Sequence, residues 1–80
     1  MISLTIDYFA ELREQAGHPS EERQTNARNA ADLYAELAHQ YGFRLAAADV
    51  KVAINEEFAA MDTPLTAGDR VVFLPPVSGG

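Results

Sequence analysis

Eighty residues, 48% of them hydrophobic, are enough for one small, well-patterned domain and too few for two. A formal net charge of −6 sets nucleic acid and anionic membranes aside and fits either a basic protein partner or high solubility alone. With no cysteine, disulfides, thiolate metal sites and a cysteine nucleophile are excluded together.

Ile2, Leu4, Ile6 and Tyr8 alternate with Ser3, Thr5 and Asp7, which predicts a strand with one buried face. Phe9 falls on the polar side of that pattern, so it is either covered by a later segment or offered to a partner. Ala10 to Ala16 holds strong helix formers with Leu12 and Ala16 on one face, and Gly17 and Pro19 follow as stop signals. That spacing predicts a helix of about two turns. Ser20 to Arg28 shows no clean alternation, and a polar edge strand is the expectation there. From Asn29 to Gly42 the signals agree. Asn29 caps, Asp32 suits the N-terminal dipole, and Gly42 ends the helix. Ala30, Leu33, Tyr34, Leu37, Ala38 and Tyr41 form its apolar stripe, leaving Asp32, Glu36, His39 and Gln40 on a face expected to be solvated.

Phe43 and Leu45 are expected to pack as the chain returns, and Ala46 to Ala48 is a connector without a clear assignment. Val50, Val52 and Ile54 predict a second half-buried strand. Asn55-Glu56-Glu57 suits a tight turn into a short strand with Phe58 and Ala59. Two turn clusters, at 62–65 and 66–69, lead to the apolar run Val71 to Leu74, which Pro75 and Pro76 terminate. The order predicts a two-layer α+β domain: a mixed sheet of four or five strands packed on one main helix, plus a short one. The first and last strands are the most apolar, so they belong side by side in the middle, running parallel. This is the β-grasp, ubiquitin-like arrangement. It spans residues 1–80 as a single domain, with a flexible tail over 75–80.

The tail offers the one group with chemical promise. Gly79 and Gly80 have no side chains and can enter a channel too narrow for any other residue, delivering a carboxylate at the tip. On composition alone a frayed end is an equal reading. Elsewhere the candidates are weak. His18 and His39 have no acidic cluster at ligand spacing, so no metal site is expected. Ser78 has no accompanying base and reads as a spacer. Arg13 and Glu14 read as a solvated helix face, and the glycines form no phosphate-cradling pattern. An autonomous enzyme is not expected. No apolar run reaches membrane-spanning length and the N-terminus lacks a signal-peptide layout, which points to the cytoplasm.

Two stretches carry a family resemblance. The opening Tyr8-Phe9-Ala10-Glu11-Leu12-Arg13-Glu14-Gln15-Ala16-Gly17 and the closing Asp62-Thr63-Pro64-Leu65-Thr66-Ala67-Gly68-Asp69, apolar strand, Pro-Pro-Val-Ser-Gly-Gly resemble the small subunits of molybdopterin synthase. These are ubiquitin-like sulfur carriers, and the resemblance covers essentially the whole chain. It implies that Gly80 is adenylated by an ATP-dependent activating enzyme and converted to a thiocarboxylate, with Gly79 giving access. The sulfur is then donated to a cyclic pyranopterin in molybdenum cofactor biosynthesis. It implies docking to the large subunit through Phe9, Phe58 and Leu74, with Pro75, Pro76, Val77 and Ser78 following the tail into the partner's active site. It further implies a heterotetramer of two small and two large subunits, no stably bound cofactor, and ATP used only by the activating enzyme. Two departures, the polar second strand and Ala30 after the helix cap, touch packing and leave the tail alone. The alternatives are a related carrier for thiamine or transfer-RNA thiolation, and a ubiquitin-like interaction module whose tail does no chemistry.

Overall fold

The computed structural model describes residues 1–76. Alternation in the first segment produces β1 (Ile2–Tyr8), whose Leu4, Ile6 and Tyr8 are buried. The short helix α1 (Ala10–Ala16) ends at Gly17, whose φ of 86° is the left-handed cap that glycine adopts without a Cβ penalty. β2 (Ser20–Thr25) is followed by α2 (Ala30–Tyr41). The Asn29 side chain accepts the Asp32 backbone N–H at 2.8 Å and starts α2, while Gly42 (φ 72°) stops it. A single 3-10 turn, Ala47–Asp49, leads to β3 (Lys51–Ile54), β4 (Glu57–Ala59) and β5 (Arg70–Leu74). Asn55 and Glu56 both have positive φ (52° and 74°), the pairing a two-residue hairpin turn needs to match strand twist.

The five strands form one sheet in the order β2-β1-β5-β3-β4. β1 and β5 lie together at the centre and run parallel, with Ile6 opposite Val71 and Tyr8 opposite Phe73. Their apolar side chains and Val52 of β3 meet Leu12 of α1 and Leu33, Tyr34 and Leu37 of α2 in one core. Burying an aliphatic or aromatic side chain of this size stabilises by about 1.5–3 kcal/mol, so these positions carry most of the folding free energy. Phe43 and Leu45 pack against the core as expected. The Tyr34 ring lies 5.6 Å from that of Phe43, and its hydroxyl donates to the Leu45 carbonyl at 2.7 Å.

The polar edge strand expected over this stretch is present, and only the flank of α2 needs correction. β2 is a six-residue strand at the edge of the sheet, paired with β1 from Ile2–Thr25 to Asp7–Ser20. Its register turns Glu21, Arg23 and Thr25 toward the helix side, alongside Ile6, Leu4 and Ile2. Consequently the polar flank of α2 is not all solvated. Glu36 accepts from Arg23 Nε and from Thr25 Oγ1, each at 2.6 Å, and Gln40 accepts from the same guanidinium. Only Asp32 and His39 of that flank stay exposed without reaching β2. An inward polar strand is stable here because the helix flank supplies a partner for each group.

Candidate docking face and tail root

The other face of the sheet is assembled by the same registers. Phe58 of β4 lies opposite Ala53 of β3, Ala53 opposite Val72 of β5, Val72 opposite Asp7 of β1, and Asp7 opposite Ser20 of β2. Cross-strand partners point to the same side, so these residues form one row across the molecule. The next row toward the tail holds Lys51 and Leu74, which are paired. Phe9, one residue beyond the Tyr8–Phe73 pair and still extended, falls beside Leu74. Phe9 is 49% exposed and Phe58 77%, and Val72 and Leu74 are half-buried. Three of the residues expected from sequence to face a partner are thus on one face. Pro75 is half-buried and Pro76 exposed, continuing directly from that face. Val77, Ser78, Gly79 and Gly80 lie outside the described residues.

The strand that leads into the tail is anchored at its root. The Asn55 N–H donates to the Arg70 carbonyl at 2.8 Å, and the Arg70 N–H returns to Asn55 Oδ1 at 3.0 Å. Asn55 Nδ2 also donates to Asp69 Oδ1 at 2.9 Å, while Asp69 Oδ2 accepts the Thr66 N–H at 2.8 Å. On the open face Arg70 grips both oxygens of Asp7, through Nε at 2.7 Å and a terminal nitrogen at 3.2 Å. This bidentate fork ties β5 to β1 beside Val72. Sequence reasoning missed Asp7, Asn55, Asp69 and Arg70. Asp7 and Arg70 are 63 residues apart, and only the parallel register brings them together.

The titratable cluster of the molecule sits elsewhere, where β2 meets α2. Glu21 accepts the Tyr8 hydroxyl and, at 2.8 Å, the Tyr41 hydroxyl. His18 Nε2 is 3.5 Å from the same carboxylate, so this histidine has an acidic partner that its sequence neighbourhood did not suggest. Burial alone would raise the Glu21 carboxyl, but hydrogen bonds from Tyr8, Tyr41 and His18 and the charge of Arg23 outweigh it and hold it below the usual range. Glu36 behaves alike: burial raises it, while bonds from Thr25 and Arg23 bring the net shift downward. Burial first, and then the bond to Glu21, pushes the Tyr8 phenol up. A depressed carboxyl and a raised phenol stay locked in one protonation state at neutral pH, which suits a joint between elements and not a proton shuttle.

Residues 6–80 match the family model described as the ThiS family. The chain is 37% identical over 80 residues to the molybdopterin synthase sulfur carrier subunit of Escherichia coli strain K12, covering 96% of this chain and 99% of that protein. Among solved structures, SAMP1 from Haloferax volcanii superposes with a TM-score of 0.75 at 27% identity, covering 98% of this chain and 99% of that one. A chain from the complex of subunits 1 and 2 of molybdopterin-converting factor from Helicobacter pylori shares the fold, with a TM-score of 0.67 at 24% identity over 99% of this chain and 100% of its own.

Proposed function

This chain belongs to the ThiS family, and from that premise we propose that it is the sulfur-carrier subunit of a molybdopterin synthase, with Gly80 as the sulfur-bearing residue. One observation carries the reading: the strand that runs out toward Gly79 and Gly80 leaves the sheet beside an exposed apolar face. Full-length similarity to the Escherichia coli carrier subunit supports the pathway assignment. The Helicobacter pylori complex of subunits 1 and 2 supports a large-subunit partner.

A carboxylate is a poor electrophile. In the proposed cycle the Gly80 carboxylate attacks the α-phosphorus of ATP on an activating enzyme, releasing pyrophosphate and forming an acyl adenylate. A sulfide-level donor then attacks the acyl carbon, its new C–S bond replacing the C–O bond to the departing AMP, and leaves a thiocarboxylate, a soft nucleophile that needs no cysteine. The domain contributes recognition and reach. Phe9, Phe58 and Leu74 seat the large subunit, and Pro75 and Pro76 stiffen the arm while Val77, Ser78 and Gly79 thread it toward the cyclic pyranopterin. ATP belongs to the activating enzyme, and the carrier holds no cofactor of its own. Two carriers with two large subunits, in the cytoplasm, complete the proposal. Among the described residues no helix is long and apolar enough to cross a membrane.

Incubation with ATP, a sulfur donor and the activating enzyme, followed by intact-mass analysis, tests the reading. A gain equal to the mass difference between sulfur and oxygen is expected. An unchanged mass with an active enzyme preparation would instead identify a passive ubiquitin-like module.

A further inference from the structure

Six residues are Lys or Arg, and Lys51 is the one lysine among them. Their placement is uneven. Arg23 is held by Glu21 and Glu36, and Arg70 by Asp7. Arg28 lies between β2 and α2, near the end of the sheet where Ile2 pairs with Thr25. Lys51 stands on the open face, paired in register with Leu74, the last residue of β5. It is exposed, and among the described residues it forms no ion pair. The neighbours it meets across and along the strands are Leu74, Val72 and Ala53, all apolar. Glu57 of β4 pairs with Ile54 and therefore points to the opposite face.

The overall charge of −6 argues for a basic partner, but the docking face has a different local balance. Asp7 is already neutralised by the two-pronged grip of Arg70. Among the described residues Lys51 is left without a counter-ion at the tail root. A partner that covers Leu74 must take the adjoining ammonium out of water. That step is costly without a counter-ion and is readily offset by a carboxylate. The stem of Lys51 can lie along Leu74 while its head reaches the rim.

We propose that Lys51 is a specificity-determining residue of the docking face, and that the large subunit presents a carboxylate to its ammonium where the tail leaves the sheet. The inference rests on the proposed docking reading, so its test includes a separate arm for that reading. Binding to purified large subunit is measured at low and raised salt for the wild type, Lys51→Glu, Lys51→Met, Arg28→Glu and Phe58→Asp. Arg28→Glu makes the same change in net charge as Lys51→Glu at the far end of the sheet. Lys51→Glu should weaken binding about tenfold or more at low salt, because a like charge then faces the carboxylate. Lys51→Met should lose most of the salt dependence seen in the wild type, and Arg28→Glu should stay within about threefold of it. Equal weakening by Lys51→Glu and Arg28→Glu would reduce the effect to net charge and overturn the proposal. Unchanged binding of Lys51→Glu together with weak binding of Phe58→Asp would also overturn it while leaving the docking face in place. Full binding by Phe58→Asp would reject the docking reading itself.

Discussion

On the helix side of the sheet Ile6, Val71 and Phe73 are completely buried, whereas on the other side Phe58 is 77% exposed and Phe9 49%. The same sheet supplies both faces, and simple alternation along its strands separates them. What differs is how each face is completed. Within the chain, α1 and α2 cover the first, and the flank of α2 answers the inward polar residues of β2 one by one. Among the described residues the second holds an apolar row, the internally satisfied Asp7–Arg70 pair, and Lys51 and Glu22 without an ion pair. A buried face stores stability, while an exposed apolar row beside an anchored strand stores affinity for something outside the chain.

Damaging each face in turn separates stability from affinity. Phe73→Ala should cost about 3–5 kcal/mol, enough to threaten the fold of so small a domain, and thermal unfolding would show it. Phe9→Asp and Leu74→Asp should lower large-subunit affinity at least about tenfold while moving the melting temperature little. Unfolding by either aspartate variant would place that residue in the core and collapse the distinction between the faces.

A smaller effect concerns the joint between β2 and α2. Glu21 and Glu36 are both held below the ordinary carboxyl value of 4.5 in the folded chain. Their contribution to stability is therefore complete above the unfolded value and drains away as the pH falls through the lower folded values. Melting temperature should drop on acidification below about pH 4.5. The double variant Glu21→Gln, Glu36→Gln should be less stable at neutral pH and flatter across that window. An equally steep acid limb in the double variant would assign the acid sensitivity to other carboxylates. The smallest expected change is at the β3–β4 turn. There Glu56→Gly should raise stability by up to about 1 kcal/mol, since glycine tolerates the left-handed backbone that glutamate adopts at φ 74°.

Much of this was legible in the residues themselves. Alternation through Ile2, Leu4, Ile6 and Tyr8, the capped stripe from Asn29 to Gly42 and the apolar run Val71 to Leu74 each express one periodicity with clear stops, and each folds accordingly. Phe9 stood out because it broke its own pattern, and it is exposed. β2 was hard to read because its inward residues are Glu21, Arg23 and Thr25, which look solvated until α2 is laid over them. The Arg70–Asp7 grip and the Asn55–Asp69 clasp were invisible for a related reason. They depend on strand register across long sequence separations, and no local spacing encodes that. Sequence showed where apolar groups go, and structure showed which polar groups find one another.

The division of labour proposed above, recognition by the domain and sulfur delivery by Gly80, is open to reconstitution of pyranopterin thiolation from the large subunit, the activating enzyme, ATP and a sulfur donor, with wild-type carrier or carrier lacking Gly80. Product is expected with the wild type and none with the deletion, although the shortened chain still melts normally and still binds the large subunit. Undiminished product from the chain lacking Gly80 would contradict that division.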